Sequence, residues 1–419
     1  TPTPDGSGLF YLSLEPDGLD LFRLDLAAPP SAIAAADLPA LPAAELAPAI
    51  PPPPPAPPAP FSLAEVPAGR PYGLGRQEIS AHLGGSSTSS GSAWELGARG
   101  GDLVGRLGYL VFGSLSNGGW PEGGAVAAAW RGWPVTVGLH AFVAKERPSE
   151  QADEWPRSPD SLELVDARVL DVDRQGIELS AGWDRLWSGW SQNRLELGGR
   201  LLAGDVDPAA GPALSQEIGA LSAGLSGRTS RGQWRLLHGA VLQYEEGRTG
   251  GDGWSRYGGG LRLGLGYDDT ALRVTWRRDG SRDVVRGFDL YQLGGAESSL
   301  LPESVLSGRI TVPALPVGTF LGEEHEGQRA ELTLGFLPGP LFYERHRLWS
   351  GAGDSERPDE WLSLAGLEWQ WSLDPIPIGR IPALDVRAGV ARILDVGVEG
   401  AGEPLEGDTR WWLTAVWRP

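Results

Sequence analysis

The 419-residue sequence predicts an all-β protein whose main body, residues 76–419, is a 16-stranded antiparallel transmembrane β-barrel, preceded by a short hairpin and a Pro-rich linker. Three observations carry this. Apolar and polar residues alternate with period two along most of the last 340 or so residues. The connections between those runs alternate between tight and long. The composition is rich in Gly (61) and Trp (18), with a lone Lys at position 145, which suits many turns and wide aromatic belts better than a helical core.

Residues 4–26, PDGSGLFYLSLEPDGLDLFRLDL, form two short apolar runs with Pro-Asp-Gly before the first and again between them, a hairpin with its turn chemistry explicit. Pro4-Asp5-Gly6, Leu9-Phe10-Tyr11, Asp17-Gly18 and Asp20-Leu21-Phe22 resemble a TolB-type β-propeller repeat. A single hairpin cannot bury its own face, so the resemblance implies a terminal blade (residues 1–26) of a propeller whose other blades lie upstream. An isolated hairpin is the plain alternative. No charged start followed by an apolar core is visible, and the chain reads as a mature or truncated piece.

Residues 27–75 are dominated by Ala and Pro, with eight prolines between Pro51 and Pro60. Such a segment reads as a semi-rigid polyproline spacer.

The barrel strands are expected at 77–86, 93–100, 104–115, 123–132, 134–145, 176–187, 192–203, 215–228, 232–244, 254–267, 270–278, 304–313, 328–348, 360–373, 384–394 and 409–418. In the eleventh, Leu272, Val274 and Trp276 share one face and Arg273, Thr275 and Arg277 the other. In the last, Trp411, Leu413, Ala415 and Trp417 oppose Arg410, Trp412, Thr414 and Arg418. Sandwiches alternate too, so the connections decide. Those after strands 2, 4, 8 and 10 are tight, as at Asp268-Asp269, whereas 146–175, 204–214, 245–253, 279–303, 349–359 and 395–408 are long. Short periplasmic turns and long external loops are the asymmetry of an outer-membrane barrel, and an even count returns both termini to the periplasm. Trp133, Trp187, Trp190, Tyr244, Trp254, Tyr267 and Trp349 fall near strand ends as candidate interfacial belts.

The connection at 279–303, the sixth on the external side, carries Val285-Arg286-Gly287-Phe288, and the thirteenth expected strand carries Phe342-Tyr343-Glu344-Arg345-His346. These resemble the bacterial surface antigen superfamily, the BamA-like assembly barrels and two-partner secretion transporter barrels. In that family a Val-Arg-Gly-Phe/Tyr tip between strands eleven and twelve folds into the lumen, and strand thirteen supplies an acid in a Phe-x-Asp-x-Gly pattern. The resemblance therefore implies that Arg286 meets Glu344, with His346 standing where glycine is usual. A buried guanidinium needs such an anionic partner. The family's C-terminal insertion signal maps to Trp411, Leu413 and Trp417, displaced by the final Arg418-Pro419. The POTRA domains usual in the family are not visible.

A net charge of −19 argues against nucleic acid, whose phosphates require a basic footprint. The absence of Cys removes thiol chemistry and the usual zinc sets. No run of about 18 apolar residues exists to form a spanning helix. His82, His140, His238, His325 and His346 are scattered without a nucleophile pattern, so neither catalysis nor a cofactor is expected. The expected partners are outer-membrane lipid, unfolded or exported protein clients, and periplasmic partners of the propeller. The expected location is the outer membrane of a Gram-negative type bacterium. Three roles compete: assembly or translocation of proteins, helped by a weak first strand containing Gly84-Gly85-Ser86-Ser87; a passive pore lined by Arg273, Arg277, Arg387 and Glu368; and a structural barrel anchoring the propeller.

Overall fold

A computed structural model describes residues 8–15, 18–25, 77–102, 105–117, 120–147, 171–188, 191–209, 211–295, 300–315, 320–349, 361–373, 383–396 and 407–418. The chain divides into two compact units, residues 1–76 and 77–419. In the first, β1 (Gly8–Glu15) and β2 (Gly18–Asp25) pair antiparallel from Gly8↔Asp25 to Glu15↔Gly18. The expected Ala/Pro linker, 27–75, lies outside the described residues, as does Trp190.

The second unit is a closed 16-stranded barrel, antiparallel throughout. Its strands are β3 (Gln77–Thr88), β4 (Gly91–Asp102), β5 (Leu107–Ser116), β6 (Glu122–Trp130), β7 (Thr136–Glu146), β8 (Val172–Ser188), β9 (Gln192–Pro208), β10 (Leu214–Arg231), β11 (Trp234–Thr249), β12 (Asp252–Tyr267) and β13 (Thr270–Arg282). After a long connection holding β14 (Tyr291–Leu293), β15 (Arg309–Ile310) and β16 (Phe320–Gly322), they continue as β17 (Glu324–Thr333), β18 (Leu341–Trp349), β19 (Leu362–Leu373), β20 (Ala383–Asp395) and β21 (Thr409–Arg418). Closure runs through β21 and β3, from Trp412↔Thr88 to Trp417↔Leu83.

Alternation sends apolar side chains outward and polar ones into the lumen. Leu261, Leu263 and Leu265 on β12 and Leu272 and Val274 on β13 are each about half exposed on the outer face. Trp234 pairs with Tyr267 near the short-turn rim and Tyr244 with Tyr257 nearer the other rim. Ten residues separate Tyr257 from Tyr267 along β12. At about 3.3 Å per residue and a tilt of about 40° they bound an apolar belt about 25 Å tall, the height of a membrane core.

Beyond that belt β8 to β12 run on, reaching 16–18 residues, with Glu246 and Arg248 turned outward and exposed. The expected loops at 204–214 and 245–253 are therefore largely strand. Residues 209–213 link β9 to β10, and Gly250-Gly251, both at positive φ (61° and 99°), close β11 onto β12, a conformation that favours glycine.

Two expected strands are corrected. The twelfth, 304–313, is not a barrel strand: it holds a helical turn, α1 (Glu303–Leu306), and β15, inside the lumen. Its β-prone residues are sealed on every side, with Ile310 5% and Val312 0% exposed, whereas a spanning strand shows alternate residues to lipid. The expected thirteenth, 328–348, is two strands, β17 and β18, broken at residues 334–340 where Pro338-Gly339-Pro340 cannot continue a ladder. One strand too many and one too few leave the count at sixteen.

Two expected belt aromatics are corrected as well. Trp254 is buried on the lumenal face and lies across Gly247, where an added Cβ would sit 2.2 Å from the ring. Trp349 is 9% exposed.

A plugged lumen as the candidate functional site

The connection between β13 and β17, residues 283–323, is the feature the fold is built around. Asp283, at φ 60°, turns the chain out of β13, a conformation Asp tolerates better than most residues. A 3-10 turn, Gly287–Asp289, follows, and then β14, which pairs parallel with β15 and antiparallel with β16. The resulting three-stranded sheet fits no ladder of the barrel and packs against its inner surface.

One apolar contact joins this sheet to β18–β21. Tyr291, Leu293, Ile310, Val312, Leu315 and Phe320 cluster with Phe342, Leu362, Leu364, Ala391, Ile393 and Trp412. A second joins the segment around α1 to the other wall, where Leu300, Leu301 and Val305 meet Phe112, Ala125, Phe142, Leu202 and Ile218. At about 25 cal/mol per Å² of apolar surface removed from water, burial of side chains this size holds each contact. Polar anchors accompany it. The Ser304 amide donates to Glu178 Oε2 at 2.9 Å, His140 Nε2 to the Leu300 carbonyl at 3.2 Å, and Arg200 Nη1 lies 2.6 Å from Glu303 Oε2.

Near the long-connection rim a charged clasp closes over the 3-10 turn. Glu146 on β7 receives Arg174 Nε at 2.8 Å and, on its other oxygen, Arg309 of the plug. Arg174 Nη1 donates to Gln216 at 3.0 Å, and Gln216 Nε2 donates to Asp289 Oδ1 at 3.0 Å. Arg256 on β12 places Nε and Nη2 at 3.1 and 2.7 Å from the Asp289 carbonyl, while its Nη1 sits 3.5 Å from Glu245. Ser307 donates to that same Glu245 oxygen at 2.7 Å. Five barrel strands thus hold the plug through paired charges and hydrogen bonds, with Glu245 Oε1 and Asp289 Oδ2 left buried without a hydrogen-bond partner. Burial raises the pKa of the Asp289 carboxyl, against the pull of Arg256 and Arg174, and raises that of Tyr291. Burial also lowers the Arg309 guanidinium to about 10.

The sequence motifs are placed as follows. Val285 is exposed, Phe288 is buried against Val172 and Val206, and Gly287 opens the 3-10 turn. The expected Arg286–Glu344 pair does not form. Arg286 Nη2 instead meets Asp252 at 2.9 Å near the rim, and Glu344 meets Arg329 Nη1 at 2.9 Å. The reason is reach and supply. Glu344 lies on the neighbouring strand directly opposite Arg329 in the β17–β18 ladder, which satisfies it before any loop arrives. Arg329 also binds Glu331 and Glu368, at 2.8 and 3.3 Å, and lies 4.4 Å from the Phe342 ring centroid.

His346 takes part in a separate chain. Arg277 and His325 both meet Asp279, at 2.6 and 2.9 Å, and the stacked His325 and His346 rings place Nε2 and Nδ1 3.3 Å apart. Arg273 pairs with Glu331 at 2.9 Å, and Arg387 is exposed. Trp411 and Leu413 face outward, 48% and 42% exposed, and the backbone of Trp417 pairs with Leu83 at the closing seam.

Glu146, Arg174, Glu245, Arg256 and Arg309 escaped the sequence reading. Strand parity marks the first four as inward, but their partners come from a segment outside the barrel ladder.

Fold and site together define a sixteen-stranded transmembrane barrel with an internal plug. No protein-family model matches the sequence, and no curated protein matches it either. Among solved structures it is similar to CdiB from Acinetobacter baumannii (12% identity, 81% of this chain and 59% of that one, TM-score 0.48). It is similar to BamA from Haemophilus ducreyi lacking POTRA domains 1–3 (13% identity, 81% and 70%, TM-score 0.50). It is also similar to OccK10 (OpdN) from Pseudomonas aeruginosa (12% identity, 81% and 97%, TM-score 0.36). The likeness to BamA shows the fold, and the chain spans about six tenths of the length of that CdiB.

Proposed function

We propose that this chain is an outer-membrane barrel of a Gram-negative type bacterium that inserts or exports proteins, with the short-turn rim in the periplasm. The observation that carries the reading is the plug. A 16-stranded barrel is wide enough for an aqueous channel, yet the described residues of the 283–323 connection occupy the lumen of this one, seated on both walls by apolar clusters and a clasp of side chains.

The closing seam supports a lateral route. Its register covers six pairs, Leu83–Thr88 of β3 against Trp412–Trp417 of β21, while Gln77–His82 extend past the last pair. The β8–β9 ladder, by comparison, runs from Val172↔Pro208 to Ser188↔Gln192. Gly84 and Gly85 give the seam little side chain to pack, and the Ser86 and Thr414 hydroxyls bridge it at 2.6 Å.

On this reading the clients are unfolded or exported proteins, the barrel carries no catalytic site, and it takes no cofactor. The N-terminal hairpin belongs to a periplasmic TolB-type propeller that receives clients or partners.

The test uses the chain's lack of Cys. Ser86→Cys with Thr414→Cys, oxidised, locks the seam. Loss of client insertion or secretion in cells, restored by reductant, is the expected result; full activity with the seam locked overturns the lateral route.

A passive channel is the second reading. It is favoured by the charged lumenal strip of Arg273, Glu331, Arg329 and Glu368. It requires a large, steady conductance in planar bilayers that is indifferent to loss of residues 285–288.

A further inference from the structure

The outer face of β13, β17, β18 and β19 is not apolar along its whole height. Below Trp276 and Tyr343 it presents Leu272, Val274, Leu332 and Leu341. Above them, the outward positions become charged and aromatic. The Arg345 guanidinium carbon lies 4.3 Å from the Trp361 ring centroid and that of Arg347 4.1 Å from it; Arg347 and Arg278 each lie 5.9 Å from Trp349. Three arginines and two tryptophans thus form a ladder.

Acids from the same face satisfy part of it. Arg347 donates twice to Glu326 Oε2, at 3.2 and 2.7 Å, and the Trp276 indole donates to Glu326 Oε1 at 3.0 Å. Arg345 spends Nε and Nη2 on Gln328, at 3.1 and 2.8 Å, and Arg278 stands 3.7 Å from Glu324.

Two cations therefore keep donors to spare, Arg345 through Nη1 and Arg278 beyond hydrogen-bond reach of Glu324. With Arg282 alongside Tyr257, the patch carries four arginines against Glu324 and Glu326, on a chain whose net charge is −19. Arginine held rigid by aromatic faces beside free donors suits a phosphate, which takes the planar fork with little further loss of freedom. Tyr257 marks the upper edge of the apolar belt on β12. Through the ladders Tyr257 stands in line with Gly280, Glu324 and Trp349, so Arg278 and Arg347 lie one outward position from that line and Arg345 two, on the long-connection side of the last apolar outward positions of β18, Leu341 and Tyr343.

We propose that this ladder binds the phosphate of a phosphorylated glycolipid in the leaflet at the long-connection rim, with donors of the exposed Arg278 and the half-buried Arg345 on phosphate and the half-buried Trp361 beside the sugar. The leaflet assignment rests on the orientation given above. The binding itself requires only a membrane barrel and not the assembly role.

The full chain, in detergent, is titrated with a diphosphorylated lipid A-type glycolipid, the same lipid after dephosphorylation, phosphatidylglycerol and inorganic phosphate. Retention is read by native mass spectrometry and by the shift in heat-induced unfolding. The expected result is at least about tenfold preference for the phosphorylated over the dephosphorylated glycolipid, equivalent to about 1.4 kcal/mol. That preference is lost in Arg278→Gln/Arg345→Gln and kept in Arg248→Gln, an exposed outward arginine on β11. Both variants leave Glu326 its Arg347 partner, and unchanged heat-modifiable migration confirms a closed barrel. Equal retention of the two glycolipids, an undiminished preference in the double variant, or full competition by millimolar inorganic phosphate overturns the proposal; the last outcome assigns the patch to a free anion. Client insertion is not measured in these arms, so their failure is separate from failure of the assembly reading.

Discussion

Arg174 on β8 places Nε 2.8 Å from Glu146 Oε1 on β7, and the other oxygen of that carboxylate receives Arg309 from the plug. One buried acid is therefore shared by two buried cations, one from the wall and one from the segment in the lumen. The plug is docked by charge pairing that extends through Gln216 to Asp289 and by apolar packing deeper in the barrel.

Glu146→Ala strands both guanidiniums in a dry site, an uncompensated arrangement that costs about 3–5 kcal/mol. Limited proteolysis of the 283–323 segment in the folded barrel should become markedly faster, whereas Glu146→Gln should lie between. Cleavage unchanged from wild type would show that the clasp does not hold the plug.

Leu301→Ala removes a side chain 2% exposed between the plug and the β5–β10 wall. The cavity costs about 2–5 kcal/mol, and planar-bilayer recordings should show open events rare in wild type. Deleting 300–312 should give a steady large conductance. A wild-type barrel that already conducts steadily contradicts the plug.

Arg286 and Asp252 are 29% and 49% exposed, so Arg286→Gln should cost under about 1 kcal/mol, as loss of an exposed ion pair does. Glu344→Ala, which leaves Arg329 short of a partner in the lumen, should cost more. If chemical unfolding ranks the two in the opposite order, Arg286 has a stronger partner than Asp252.

Asp289 supplies a pH dependence. Its pKa is raised in the docked plug, chiefly by burial, so the docked state binds a proton more readily than the undocked one. Docking therefore gains as pH falls through the raised value toward the ordinary carboxylate pKa of about 3.9, and weakens as pH rises back to neutral. Protease protection of residues 283–323, followed from pH 7.5 to 4, should have a component of that sign that Asp289→Asn removes. Identical profiles for both proteins would exclude it.

Gly389 on β20 lies under the Trp412 ring, which an added Cβ would approach to 2.0 Å. Gly389→Val should prevent closure at the β20–β21 ladder, and the protein should lose its heat-modifiable migration. Gly389→Val/Trp412→Ala should recover part of it.

Much of the barrel was legible because period-two alternation leaves a local signature: β13 and β21 fall within a few residues of their expected spans. The Val-Arg-Gly-Phe tip was rightly placed between the eleventh and twelfth strands. The break at 334–340 was also legible, since Pro338-Gly339-Pro340 is local turn chemistry, but the apolar runs on either side masked it. The 304–313 misreading was harder to avoid. Ile310 and Val312 have the residue types of a strand, and only their complete burial separates a plug from a wall.

By itself the sequence determined the class, a sixteen-stranded membrane barrel with tight turns at one rim and long connections at the other, because strand parity, turn residues and aromatic spacing all act within a few residues of chain. Only the tertiary structure decided what the 283–323 connection does and whom each charge meets. Glu146, Arg174, Arg256 and Asp289 come from four separate segments, and pairing in a lumen depends on which side chains closure brings within about 3 Å of one another. Arg286 went to Asp252 and Glu344 to Arg329 for that reason: the ladder presented a nearer partner than the motif implied.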